Sequence, residues 1–181
     1  WFAKRKIPLV VDPVMVSSSG TVLLKSNAIK SLHKKLLPLA ALVTPNICEA
    51  EQLTGMKIRK GSEQQTAARA LYESCGCAVL LKGGHLSGKH ADDVYFDGEK
   101  LTVLSAKRVK GRELPGTGCF YSSWITAELA KGKSLLSAIR AAKKRASTAN
   151  PSKPPHTLVW CSIFYLYRAR LWRYPLTFAH N

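Results

Sequence analysis

Gly116-Thr117-Gly118-Cys119 carries the clearest chemical content in the chain. Two glycines just before a helical run let the backbone approach a ligand with several N–H groups aimed outward. The unpaired donors of the first helical turn and the positive end of the helix dipole then favour an anion. A side chain at Cys119 would sit over that site, where a thiolate is stabilised. An ordinary thiol titrates near ~8.5, so a role as proton acceptor needs this positive field. Lys82 can hold donor phosphates as a point charge, and Asp12 and Glu49 can act on Mg2+ directly or through water. Donor loop, lysine and paired carboxylates together suit phosphoryl transfer from a metal nucleotide. That reaction asks for in-line placement and charge neutralisation more than for covalent help. Plainer roles compete: the glycine loop can simply turn a strand into a helix, and Asn46 with Glu49 three residues on has the spacing of a helix cap and its reciprocal carboxylate.

What would bring these residues together is the order of elements. Ile7–Val11, Leu39–Val43 and Ala78–Leu81 are short apolar runs that read as buried strands. Each ends in polar or glycine residues: Asp12-Pro13, Thr44-Pro45-Asn46 and Lys82-Gly83-Gly84-His85. Between them lie helical patterns. The first starts at Asn27, with Ile29, Leu32 and Leu36 on one side and Lys30, Lys34 and Lys35 on the other, and is ended by Pro38. The second runs from Asn46 to Gly55, and the third starts near Ser62, with Gln65 three residues on and Ala68, Leu71 and Cys75 on one face. Such alternation implies a parallel sheet with its ligand crevice at the carboxyl ends of the strands, where Asp12, Asn46, Glu49 and Lys82 would share one rim. Asp92–Phe96 and Leu101–Leu104 read as a hairpin around Asp97-Gly98. The helix opened by Cys119 places Phe120, Trp124, Ile125 and Leu129 on one face. A last helix from Ser134 turns Leu135, Ile139 and Ala142 inward and Arg140, Lys143 and Lys144 outward.

The 181 residues, 46% of them apolar, suffice for one α/β domain with a real core. No apolar run reaches the ~18 residues of a membrane span. The chain opens on Trp1 without a signal-peptide pattern and is expected to begin inside a longer protein. Five cysteines without zinc-type spacing point to a reducing cytoplasm. A net charge of +17 raises nucleic acid or an anionic membrane surface as partners. However, no Asp or Glu follows Glu128, so much of the excess reflects an acid-poor last third rather than a shaped polyanion groove. Residues 1–150 are taken as a single, incomplete α/β domain. Residues 151–181, basic and aromatic without helical or strand periodicity, are expected to be a disordered or non-native tail, and no functional claim rests on them.

Asp12-Pro-Val-Met15, Thr44-Pro-Asn-Ile-Cys-Glu-Ala-Glu51 with Leu53-Thr-Gly55, Leu80-Leu-Lys-Gly-Gly-His85 and Gly116-Thr-Gly-Cys119, in this order from about Ile7 to Ser147, resemble the hydroxymethylpyrimidine/phosphomethylpyrimidine kinases of thiamine biosynthesis. These belong to the ribokinase-like superfamily. The resemblance implies an α/β fold, a mainly parallel sheet flanked by helices on both faces, here N-terminally incomplete. It also implies an ATP- and Mg2+-dependent enzyme that phosphorylates 4-amino-5-hydroxymethyl-2-methylpyrimidine and then its monophosphate. By resemblance Cys119 matches the base, Gly116, Thr117 and Gly118 the anion hole, and Val14 a pyrimidine contact. Lys82 and Asn46 match nucleotide contacts, Asp12 and Glu49 the Mg-phosphate network, and the family often forms homodimers. The family's Gly-rich N-terminal segment, with the Gln that reads the pyrimidine, has no counterpart here. Pro115 stands where this kinase usually has His, and the tail does not resemble the family's closing segment. The expectation is that the full-length parent is the kinase and that this chain alone is inactive. A pyridoxal-type kinase on the same scaffold, a non-catalytic remnant and a basic nucleic-acid binder are the competing readings.

Overall fold

Side chains alternate across a strand, so a strand buried along its whole length must feed two cores at once. Such strands occupy the middle of this molecule: β1 (Leu9–Val11), β2 (Leu42–Val43) and, but for its half-buried first residue, β3 (Ala78–Leu81). Leu9, Val11, Val43, Val79 and Leu81 belong to one buried cluster, and Val10, Leu42 and Leu80 to the other. The computed structural model describes residues 7–15, 22–84, 86–108, 117–148 and 164–166, with Thr148 and the last three by backbone alone. β1 pairs with β2 and β2 with β3, both in parallel, through Val11↔Val43 and Val43↔Val79. A hairpin of β4 (Asp93–Phe96) and β5 (Leu101–Leu104) extends the sheet antiparallel from β3. Its 97–100 turn is held by Asp97 Oδ1, which accepts the N–H groups of Glu99 and Lys100. On the opposite edge β6 (Phe164–Leu166) pairs antiparallel with β1, giving the order β5-β4-β3-β2-β1-β6.

Helices cover both faces, as expected of the fold class. One face packs against α1 (Ser26–Ser31) and the turns that follow it, α2 (Ile47–Thr54) and α3 (Gly61–Cys75), through Leu32, Leu37, Ile47, Ala67, Ala68, Leu71 and Cys75. The other packs against α4 (Thr117–Ala130) and α5 (Leu135–Thr148), through Tyr121, Ile125, Leu129, Ala138, Ile139 and Ala142.

Several local expectations are corrected. Pro38 does not stop the first helical region. It lies within a 3-10 turn, Leu37–Leu39, that follows a wider π-type turn at Leu32–Leu36, so β2 begins three residues later than its apolar run. Proline is tolerated there because its missing N–H falls in the opening positions of a new turn. At the start of α3 the N-cap Lys60 makes no side-chain cap; Glu63 instead accepts the N–H of Arg59, just ahead of the helix, at 2.7 Å, and Ser62 with Gln65 forms no capping box. On α4 the buried stripe runs through Tyr121, Ile125 and Leu129, while Phe120 and Trp124 are half-buried and pack on each other. Lys143 on α5 is turned inward rather than outward.

Candidate active site

Parallel pairing brings three strand ends to one rim. Asp12 follows β1 directly, Thr44 and Asn46 follow β2, and Lys82 follows β3, with a further parallel bridge between Asn46 and Lys82. Asp12, Thr44 and Glu49 are all buried. Lys82 Nζ donates to Asp12 Oδ1 at 2.8 Å, and the side chains of this pair are only 12% and 4% exposed. The Thr44 hydroxyl donates to the same oxygen at 3.2 Å and meets Ser122 Oγ of α4 at 2.9 Å. Ser122 in turn donates to the Gly118 carbonyl at 3.1 Å. A chain of polar contacts thus ties the end of β1 to the first turn of α4.

Gly118 faces the lysine directly. A Cβ built there would lie 3.2 Å from Lys82 Nζ, so the absent side chain leaves room for the ammonium at the helix tip. A cation is disfavoured at the N-terminus of a helix. Burial alone would also lower the affinity of Lys82 for its proton. The charges of Asp12 and Glu49 outweigh burial, and the ammonium is held above its ordinary range; Cys119, half-buried on α4, lies within electrostatic reach of it.

Glu49 fulfils its plain role. Asn46 Oδ1 accepts the Glu49 N–H at 2.9 Å and Glu49 Oε2 accepts the Asn46 N–H at 2.8 Å, a complete capping box for α2. The cap does not exhaust the residue. Burial pushes its carboxyl up to about 7, against the opposing pull of Lys82 and of N–H groups from Asn46 and Met15. A buried carboxyl poised near neutrality, beside a carboxylate that already shares a lysine, is an oxygen-only donor pair. Such a pair fits Mg2+ carried by a nucleotide, which takes one or two carboxylates and fills its shell with phosphate and water. Among the described residues no group of three or more His, Cys, Asp and Glu forms a protein cage for a metal.

The rim therefore unites Asp12, Asn46, Glu49, Lys82, Gly118 and Cys119, with Thr117 opening the helix beside them. Val14 is half-buried two residues beyond Asp12, its N–H donating to the Asp12 carbonyl at 2.9 Å. Gly116 lies outside the described residues, as does the loop with Pro115. Sequence reasoning missed Thr44, Ser122, Gln64, Asp93 and Lys143. Asp93 carried a signal, an acid at the head of an apolar strand, whereas Lys143 is spaced like any lysine of a solvated face.

A family model described as phosphomethylpyrimidine kinase matches residues 1–155. The chain belongs to the phosphomethylpyrimidine kinase family. It is similar to the hydroxymethylpyrimidine/phosphomethylpyrimidine kinase of Rhizobium meliloti (strain 1021), at 49% identity over 144 residues, 78% of this chain and 53% of that protein. The structure resembles that of a phosphomethylpyrimidine kinase from Clostridium difficile 630, with a TM-score of 0.65 and 38% identity over 77% of this chain and 55% of the other. It also resembles a pyridoxal kinase from Staphylococcus aureus in complex with AMP-PCP and pyridoxal, with a TM-score of 0.69 and 33% identity over 77% and 50% of the two chains. The chain thus spans about half the length of these family relatives. Membership accounts for the ribokinase-like arrangement of sheet and helices.

Proposed function

We propose that the protein carrying this chain transfers phosphate from ATP to 4-amino-5-hydroxymethyl-2-methylpyrimidine and then to its monophosphate, in thiamine biosynthesis. The observation that carries the reading is the meeting of Lys82, paired to Asp12, with the bare Gly118 at the tip of α4. An ammonium next to the N–H groups of a helix N-terminus gives a set of donors that phosphate oxygens can complete.

In this reading Lys82 binds the donor phosphates, and Gly116, Thr117 and Gly118 orient N–H groups towards the oxygens that gain charge during transfer. Asn46 supports the nucleotide and Val14 touches the pyrimidine. Cys119 Sγ takes up the proton of the attacking hydroxyl, which the adjacent ammonium and helix N-terminus favour. Asp12 and Glu49 would hold Mg2+, which supplies neutralisation of the phosphate charge when bound. An open cleft of about 810 Å3 lies between β5 and α5, lined by Val103, Lys107, Arg108, Arg140 and Lys144 among others, the Lys143 charge being already paired to Asp93; it offers room and positive charge for the rest of the nucleotide. None of the described cysteines 48, 75, 77 and 119 is joined in a disulfide, in keeping with a cytoplasmic enzyme. No helix among the described residues is long and apolar enough to cross a membrane. A homodimer belongs to this reading and is testable by light scattering.

The likeness to pyridoxal kinase, with the higher of the two TM-scores above, favours a second reading in which pyridoxal is the acceptor. Coupled-assay turnover of ATP by the full-length protein separates them. Turnover with both the pyrimidine alcohol and its monophosphate is the expected result. Phosphorylation of pyridoxal but of neither pyrimidine selects the second reading, and no ATP-dependent transfer to any of the three removes both.

A further inference from the structure

Lys82 can act at the rim only if the backbone around it is fixed, and the strand that carries it ends at Leu81. The next residue but one, Gly83, donates its N–H to Asp93 Oδ1 at 3.0 Å. Asp93 is buried at the head of β4, and its other oxygen accepts from Lys143 Nζ at 2.7 Å. Lys143 comes from α5 and is itself only 13% exposed; it also donates to the Ala91 carbonyl at 2.6 Å. On the opposite face of the sheet, Gln64 of α3 is buried and its amide bridges the Leu81 carbonyl at 2.9 Å and the Asp92 carbonyl at 3.0 Å. The junction leaves no space: a Cβ at Gly83 would fall 1.8 Å from the Asp92 carbonyl oxygen. The residues on either side of Lys82 are therefore gripped from both layers of helix. Tyr121 of α4 is buried, and burial with the Asp93 charge holds its phenol neutral, so Asp93 also faces the helix that bears Gly118 and Cys119.

A buried lysine–carboxylate pair is a costly way to gain stability, because both charges give up water. This one is spent on a backbone N–H adjacent to the phosphate-binding lysine. We propose that Asp93 and Lys143, assisted by Gln64, are positioning residues that hold Lys82 in line with the tip of α4 and so set the affinity for the phosphate donor. The proposal rests on the reading of Lys82 as a phosphate contact. None of the three need touch substrate.

The test is steady-state kinetics of the full-length enzyme with Lys143→Met, Lys143→Arg, Lys82→Met and the Lys82→Met/Lys143→Met double variant. Lys143→Met should raise the KM for ATP by ~10-fold and that for the pyrimidine alcohol by less than ~2-fold, since misplacing one contact acts on one ligand. Lys143→Arg, which keeps a cation for Asp93, should recover most of the loss. In the Lys82→Met background the further substitution at 143 should add nothing to the KM for ATP, because residues acting through one another are non-additive. Should Lys143→Met fail to fold, Lys143→Gln, which keeps a donor without the charge, takes its place with the same readout. Equal loss for both substrates, or full additivity with Lys82→Met, overturns the positioning role while leaving Lys82 as a phosphate contact. An unchanged KM for ATP in Lys82→Met removes that contact itself, and the positioning role with it.

Discussion

The two ends of α4 each bring a buried carboxylate together with lysine, and they do opposite things with it. At the C-terminal end Glu128, 5% exposed, meets Lys131 Nζ at 2.7 Å and Lys133 with its other oxygen, and these lysines are 61% and 46% exposed. Cations at the negative end of a helix relieve its dipole, and the chain leaves through Gly132 at φ +82°. Everything there is neutralised on the spot. At the N-terminal end the ammonium of Lys82 sits against the positive pole, where it is disfavoured, and is kept there by Asp12 and Glu49 from other elements. One end is a closed structural cap. The other holds a buried ammonium against a helix N-terminus, balanced only by carboxyl groups from other elements.

The sharpest way to break this contrast is Lys82→Met. It removes the sole ion-pair partner of Asp12 among the described residues and leaves two carboxyl groups buried together. Loss of one member of such a pair should destabilise the fold by about 3–5 kcal/mol, read from urea midpoints at constant slope. Turnover of ATP should fall at the same time by ~10^2-fold or more, as removal of a charge-stabilising donor does. A Lys82→Met protein with unchanged kinetics would make the N-terminal end as purely structural as the other. Next in size is Cys119→Ala in the full-length enzyme. If Cys119 is the proton acceptor proposed above, its loss should slow phosphorylation of the hydroxymethyl compound by ~10^2-fold. The monophosphate step should suffer less, because its acceptor is already an anion. Equal loss in the two steps, measured by single-turnover rates, would assign the damage to the helix tip and not to the thiol.

The two ends also titrate with opposite sign. Glu49, ordinarily near 4.5, holds its proton up to about 7 in the fold because of burial. It binds protons more tightly folded than unfolded, so its stabilising contribution is complete below about 4.5 and is lost as pH rises through about 7. Glu128 is held below its ordinary range by hydrogen bonds from Lys131 and Lys133. Its contribution is present above its unfolded value and is lost as pH falls through the folded one. Glu49→Gln should therefore flatten the stability profile between about 4.5 and 7, whereas Glu128→Gln should act only at more acidic pH. A Mg–nucleotide complex should in addition bind Glu49 only after its proton leaves, giving apparent affinity that falls by up to ~10-fold per unit below neutrality. Isothermal titration at pH 6 and pH 8 reads this, and a flat profile in the native protein would separate Glu49 from the metal.

Much of the N-terminal corner was legible because each apolar run stops at a polar residue. Val11 is followed by Asp12, Val43 by Thr44 and Leu81 by Lys82, and parallel pairing does the rest. The capping box of Asn46 and Glu49 was equally local. What escaped was set by partners far along the chain. Lys143 is one of three basic residues in its stretch of α5, and nothing in its spacing separates it from Lys144; its burial depends on Asp93, 50 positions earlier. Gln64 likewise reads as a polar residue of an amphipathic helix until β3 and β4 present two carbonyls beneath it. Leu39 fails in the opposite direction: it extends an apolar run, yet Pro38 draws it into a turn and leaves it 45% exposed.

The smallest effect expected belongs to the C-terminal end, and it is what makes the comparison a test of geometry instead of charge count. Lys131→Met and Lys133→Met together remove as many ion pairs from Glu128 as it has in the described structure. Their side chains are exposed, so deleting them opens the carboxylate to water, and water replaces what they supplied. Surface pairs of this kind contribute little and are screened by salt. The melting midpoint should move only slightly, the shift should vanish at high ionic strength, and the KM for ATP should stay at its native value. Lys82 has no such replacement, since its removal leaves Asp12 buried with the Thr44 hydroxyl, itself held by Ser122 of α4. A double Lys131→Met/Lys133→Met protein that lost ATP turnover as Lys82→Met does would show that the whole length of α4, and not its tip, governs the phosphate corner.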